Sequence, residues 1–329
     1  MSFRAVRDPS DADLERLQTA NPANPFATVS YVRGRRALGA GIVLFVAEHS
    51  DAQPTAAVGY LSGRAINRRL EMTSAPSCPD TGEFWSGVRE FCRQNRVADV
   101  SIDSYCARAV TLPAWAAPSE VRDRTEWVLQ LSSPEDLRFG SNHRRNINKA
   151  RRNGISVTST SDVAAARVHG ELMAASMRRR ALRGESVPVI KPAETRYECA
   201  FLDSGAARLF QAVHNGVVVS SLLVLHSPEG AYYQSAGTTP EGFDVGASTF
   251  LVSEIIRSLA AEGKRVFNLG GAGAEAEGLR RFKSGFGAQP IPLTAGNYRL
   301  ATPVQKGLMA AVRLIREPVR SLSQRWAAL

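Results

Sequence analysis

The segment Gly278-Leu279-Arg280-Arg281-Phe282-Lys283-Ser284-Gly285-Phe286-Gly287-Ala288 frames one lysine with two phenylalanines and two glycines. A solvated surface lysine rarely keeps that company. A lysine held among rings beside a reacting carbonyl would stabilise the negative oxygen of a tetrahedral intermediate. Lys283 is therefore the expected catalytic residue; the structural alternative is a snorkelling lysine that closes a sheet. The segment follows Asn268-Leu269-Gly270-Gly271, which reads as the end of a core strand. Ligands gather at the carboxyl ends of such strands, so Asn268, Phe282, Phe286 and Tyr233 are expected to border a substrate.

A second chemistry belongs to phosphate. Pro240-Glu241-Gly242-Phe243-Asp244-Val245-Gly246-Ala247-Ser248 precedes a helical pattern whose first acid is Glu254. Free N–H groups at a helix start attract anions, and glycine lets a ligand approach the backbone. Gly242, Gly246, Ala247 and Ser248 are the expected donor-binding positions. A basic stretch, Leu137–Gly154, reads as a helix over about 134–153, capped by Ser133 and stopped by Gly154. On it Arg138, Asn142, Arg145, Lys149 and Arg152 share one face, which suits a phosphate-bearing partner. Arg145 and Lys149 are its expected contacts. No aromatic residues interleave with this stripe, and no DNA partner is expected. His214, His226, Tyr232, Glu241 and Asp244 complete a thin acid–base inventory, and no Ser-His-Asp order, H-E-x-x-H or G-x-G-x-x-G motif appears.

The elements that must position these residues occur twice. Residues 43–49 (VLFVAEH) and 208–214 (RLFQAVH) agree at four of seven positions, 165 residues apart. Phe84 and Phe250 each lie at the start of a helical pattern, and Val100 and Val266 lie in the apolar run after it, both pairs 166 apart. Repeats in one order at nearly one offset indicate duplication. In the second copy, AARLFQAV, VVVSSLLVLH and AYYQSAG read as strands, the first two joined through Asn215-Gly216, a two-residue hairpin signal. TFLVSEIIRSLAAEGK follows as a helix and VFNLG as a buried strand. The matching loop in the first copy, Pro76–Glu83, carries proline, cysteine and acids, so that copy is expected to bind no cofactor.

The 329 residues carry a net charge of +10, which points to an anionic partner or to an arginine-rich composition. The four cysteines form no C-x-x-C and no metal-ligand spacing. No metal and no permanently bound cofactor are expected. The first residues lack a signal-peptide core, and no run approaches a membrane span; the expectation is a cytoplasmic protein. The tail, 302–326, steps Val304, Leu308, Val312, Ile315, Val319, Leu322 and Trp326 along one face with basic residues between, interrupted by Pro318. Such a helix suits peripheral contact with the inner membrane face, or packing on the second copy.

Together, AYYQSAG through FNLGG, GLRRFKSGFGA and SNHRRNINKARRNGISV resemble the GNAT-like acetyltransferases related to the Fem peptidoglycan-bridge aminoacyltransferases. SMRRRALRGESVP looks like that group's Arg-Gly-x-Pro loop with a longer gap. The likeness implies a mixed α/β fold of two tandem GNAT-like domains, here expected at 1–132 (degenerate) and 133–300 (active), with 301–329 as the tail. It also implies a lysine facing an acyl-transfer site at Lys283. The expected function is N-acyl transfer from an acyl thioester, acyl-CoA being the co-substrate, to an amine of a cell-envelope precursor. A Fem-like aminoacyltransferase using aminoacyl-tRNA on a peptidoglycan precursor is the first alternative, and a non-catalytic anion- or RNA-binding protein the second. The group's strand often ends Asp-Phe-Gly; this one reads Asn268-Leu269-Gly270, and the coiled-coil insertion of tRNA-dependent members has no counterpart.

Overall fold

The structure is a computed structural model that describes all residues except 1, 49–53, 65, 77–81, 108–109, 116–117, 132, 134–136, 183, 185–193, 274 and 309–329. The first half runs β1 (Ser2–Arg7), α1 (Asp11–Ala20), α2 (Val29–Ala37), β2 (Gly41–Glu48), β3 (Thr55–Ser62), β4 (Arg68–Met72), α3 (Gly82–Gln94), β5 (Val97–Ile102) and β6 (Glu120–Gln130). The second runs α4 (Ser141–Arg152), β7 (Ser156–Thr160), α5 (Ala164–Leu182), α6 (Arg196–Asp203), β8 (Ala207–His214), β9 (Val217–His226), β10 (Gly230–Thr238), α7 (Pro240–Asp244), α8 (Ala247–Ala261), β11 (Val266–Gly271), α9 (Glu277–Ser284) and β12 (Gln289–Arg299). The duplication seen in the sequence is thus a duplication of the fold.

Twelve of these strands form one mixed sheet in the order β1-β2-β3-β4-β5-β12-β6-β11-β10-β9-β8-β7. The order is a palindrome with one exchange. The last strand of each half leaves its own half and pairs with the other. β12 lies against β5 from Gly296↔Ile102 to Arg299↔Asp99, and β6 lies against β11 from Val266↔Gln130 to Gly271↔Glu126. β6 and β12 pair with each other at the centre, Gln289↔Val128 to Asn297↔Glu120. The sheet joins the halves through the two exchanged strands.

Local chemistry explains the elements. Asn215 and Gly216 take φ of 50° and 78°, both left-handed, and join β8 to β9 as a two-residue turn. In α8, Leu251, Val252, Ile255, Ile256 and Leu259 are buried on several faces of the helix. A helix apolar around most of its circumference must be covered on two sides. The sheet lies on one side and α4 on the other, with Ile147 and Ala150 of α4 in the same core. Burying each such aliphatic side chain contributes about 1.5–3 kcal/mol. A second core is shared by both halves: Leu14, Phe26 and Tyr31 of the first meet Phe201, Leu209 and Tyr232 of the second.

The helix expected over 134–153 begins later, at Ser141, with Gly140 as its N-cap and no capping side chain. Ser133 is not helical and Pro134–Asp136 lie outside the described residues. Leu137–Gly140 are not helical, and Phe139 anchors there against the Phe286 ring, 5.7 Å away. Arg138 therefore leaves the basic face, which retains Asn142, Arg145, Lys149 and Arg152. Residues 303–308 are helical; the rest of the tail and its proposed apolar stripe lie outside the described residues. Among the described residues, no helix is long and apolar enough to cross a membrane.

Candidate active site

β10 and β11 are parallel neighbours only over Gly230–Tyr232 and Val266–Asn268. β10 then shifts register between Tyr233 and Ser235, and a bulge there kinks the strand. β11 turns at Gly270, φ 73°. A side chain at 270 would be strained, and its Cβ would stand 3.3 Å from the Tyr232 hydroxyl and the Tyr233 carbonyl. The strands separate beyond this point and leave a wedge at their carboxyl ends. Tyr233, half-buried on β10, packs against the core that contains α8.

α9 returns the chain to the wedge and brings Lys283 with it. Lys283 is buried, and its Nζ donates to the carbonyls of Gly270 (2.9 Å) and Gly271 (2.6 Å). Burial lowers its pKa to about 8, with Glu126 nearby acting in the opposite direction. An ammonium has three N–H donors. Two are used by these carbonyls, and among the described residues the third has no protein acceptor.

The lysine is held from behind. His143 of α4 is buried, with Nε2 2.8 Å from the Phe282 carbonyl and its ring 4.3 Å from that of Phe286. Gly285 is glycine because a Cβ there would lie 2.4 Å from the His143 ring. Phe286 is 1% exposed, sealed among Phe139, His143 and Phe282, so it positions α9 from the core side and does not line the wedge. Phe282 is only partly buried.

A carboxylate that sequence reasoning missed completes the centre. Glu126, 1% exposed on β6, accepts from the Cys106 amide (3.1 Å), Arg124 Nη2 (2.8 Å), the Tyr232 hydroxyl (3.2 Å) and Asn268 Nδ2 (2.7 Å). With four donors on two oxygens, its accepting positions are taken up by the protein. Asn268 passes the order on: its Oδ1 accepts from the Gly270 amide at 2.8 Å, the residue whose carbonyl holds Lys283. Asn268 is itself 2% exposed, so its bonds are to the protein. Nothing local marks Glu126 in the charged run EVRDRTEWVLQ; only the strand exchange buries it.

The 240–248 segment is not an open loop throughout. Pro240–Asp244 form α7, capped by the Thr239 side chain on Gly242. Gly242 packs against the Val219 carbonyl, 2.5 Å from a would-be Cβ, and Gly246, φ 79°, against the Asn146 carbonyl of α4, 2.6 Å. Both glycines thus serve close packing of the protein on itself. Ala247 is buried and Ser248 half-exposed at the start of α8, which has no capping side chain and no acid in its first turn. Through His143 and Asn146, α4 joins the α8 start to α9. Its Arg145, Lys149 and Arg152 are exposed, and Arg145, Asn148, Arg151 and Arg152 line a shallow depression. Among the described residues, only Arg151 of α4 forms an ion pair, with Glu254 at 3.6 Å. Three segments that are distant in sequence are therefore neighbours around one helix. Between the halves, a cleft of about 510 Å³ is lined by Phe26, Tyr60, Ser74 and Cys106 of the first and Glu229 and Arg265 of the second, among others. No cluster of metal-ligating side chains occurs among the described residues.

Residues 138–284 match the family model described as an acetyltransferase (GNAT) domain. No curated protein matches the sequence. The fold is similar to that of FemX, with a TM-score of 0.67 at 11% identity, covering 93% of this chain and 99% of that one. It is also similar to a tandem GNAT protein from the clavulanic acid biosynthesis pathway (TM-score 0.52, 16% identity, 90% and 97% covered). L-PGS from Bacillus licheniformis aligns with a TM-score of 0.52 at 14% identity, over 93% and 97% of the two chains. The stretch 138–284 therefore matches a GNAT domain, and the chain as a whole has a mixed α/β fold similar to that of a tandem GNAT protein.

Proposed function

We propose that the protein is an N-acyltransferase that moves an acyl group from a phosphate-bearing thioester of the acyl-CoA type to an amine, with cell-envelope precursors as the acceptor class. The observation that carries this reading is the buried Lys283 ammonium at the mouth of the wedge, with two donors fixed on carbonyls and one left over. An acyl carbonyl placed there gains a positive donor as its oxygen becomes negative, in a site where charge is poorly screened. Mere anion binding at a surface needs no such buried cation. The uncapped α8 start supports a phosphate on the donor.

The exposed face of α4 favours a second donor. Arg145, Lys149 and Arg152 offer a row of charges better matched to a polyanion than to one pyrophosphate. FemX and L-PGS are the neighbours that make aminoacyl-tRNA, with a peptidoglycan or lipid acceptor, the reading to set against acyl-CoA. Thermal protection and donor cleavage, measured separately with acetyl-CoA and with charged tRNA, distinguish them. Protection and amine-dependent cleavage by acetyl-CoA alone is the expected result. The same response to charged tRNA alone transfers the proposal to an aminoacyltransferase, and no cleavage of either with a panel of envelope amines overturns the enzymatic reading.

A further inference from the structure

Acyl transfer to an amine requires somewhere for the amine proton to go, and Glu126 already accepts from four donors. One further group at the wedge is organised for proton movement. His169 of α5 is 0% exposed. Its Nε2 lies 2.9 Å from the Ser235 hydroxyl and its Nδ1 lies 3.0 Å from the Ser221 hydroxyl. Ser221 on β9 is also fully buried, whereas Ser235 is half-exposed. The chain of three therefore opens at one end only.

That end falls at the wedge. Ser235 is the residue at which β10 resumes pairing with β9 after the bulge, three residues beyond its last pairing with β11. α5 lies against β10 closely enough that a Cβ on Gly237 would meet the Leu172 backbone at 2.3 Å. His169 is thus held over Ser235 by the packing of α5. A hydroxyl in contact with an imidazole that is oriented by a third group is the arrangement that makes a hydroxyl a proton acceptor. Burial keeps this imidazole neutral, with a pKa of about 4.

We propose that Ser235 is the proton-transfer residue of the acyl-transfer site, acting through His169 and oriented by Ser221; this rests on the acyltransferase reading. As the amine nitrogen bonds to the acyl carbon, its proton passes to Ser235 Oγ while the hydroxyl proton of Ser235 passes to His169 Nε2. The imidazolium is held by Nδ1–H donating to Ser221. When the intermediate collapses, the bond from the acyl carbon to the donor's sulfur or oxygen breaks. The proton returns through Ser235 to that leaving atom, so no proton or electron is left over.

Two measurements test this on the full chain. The first is nitrogen NMR of ¹⁵N-histidine-labelled protein without substrate. The relay requires His169 to carry its proton on Nδ1, with a Nε2 signal that moves in Ser235→Ala. A proton on Nε2 overturns the proposal, whatever the activity. The second is transfer from acetyl-CoA or charged tRNA, whichever the wild type uses, to a primary alkylamine and to hydroxylamine, which is largely unprotonated at neutral pH. Ser235→Ala and His169→Gln are expected to lose about 10²–10³-fold with the alkylamine and far less with hydroxylamine. Equal losses with both acceptors, or no loss, overturn the relay. Wild-type protein inactive with both donors, beside the correct tautomer, defeats the acyltransferase reading instead.

Discussion

Asn268 on β11 and Glu126 on β6 meet with Nδ2 2.7 Å from Oε2, across strands that belong to opposite halves of the chain. The negative charge beside the lysine therefore comes from the first half and the lysine from the second. The amide of Asn268 donates to a carboxylate on the neighbouring strand. Asn268→Asp would place two buried carboxylates in contact, raising the pKa of the pair. We expect a loss of about 3 kcal/mol or more at neutral pH. The loss should shrink as pH falls and the pair takes up a proton, which denaturant melts at pH 7 and pH 5 will show.

Lys283→Ala should reduce transfer by about 10²–10³-fold, the usual consequence of removing an oxyanion donor. It also leaves the Gly270 and Gly271 carbonyls without a partner, so a modest stability loss of about 1–3 kcal/mol accompanies it. Parallel assays of activity and melting temperature will separate the two effects.

The same lysine gives a pH signature. Burial brings its folded pKa down to about 8, below the ordinary lysine value of 10.5. Between those values the unfolded chain binds the proton that the folded chain has released, so Lys283 makes stability rise with pH in that window. Transfer, which uses the charged form, should instead fall above pH 8. A Lys283→Met variant is expected to lack the pH-dependent gain in stability, read by chemical denaturation from pH 7.5 to 10.

Gly285→Ala tests how α9 is held. The new methyl would lie 2.4 Å from the His143 ring, which is itself packed against Phe286. Overpacking of this kind costs about 1–3 kcal/mol. Activity per folded molecule should fall as well, because α9 carries Lys283.

Charge reversal at Arg145 and Lys149 should weaken donor binding and flatten its dependence on salt, by roughly one unit of slope per lost phosphate contact. A salt titration of binding by the double variant provides the measurement. Unchanged affinity would leave α4 as a structural brace only.

Some of this architecture was legible before any coordinates. The Asn215-Gly216 turn, the apolar strands of the second half, α8 and the framed Lys283 follow from local pattern, because each depends on neighbours a few residues away. α4 starts later than the pattern predicts because Ser133-Pro134-Glu135-Asp136 imitates a capping sequence, while Phe139 ties the following non-helical stretch to the Phe286 ring. Ile147 and Ala150 stand opposite the basic face, but His143, buried beside them, left no mark in the sequence because its partner lies 139 residues away. Glu126 and His169 left no local trace. Their surroundings come from strand order and helix packing, which no window of sequence contains.

The exchange of β6 and β12 has a consequence for synthesis. β5 is complete at Ile102, yet the strand that covers its edge is residues 289–299. At about 5–20 residues per second, a nascent chain carries an open β5 edge for roughly ten to forty seconds. An uncovered edge is a template for pairing with another chain. The first half therefore cannot mature ahead of the second, and premature termination anywhere before β12 leaves an aggregation-prone fragment in place of a smaller working protein.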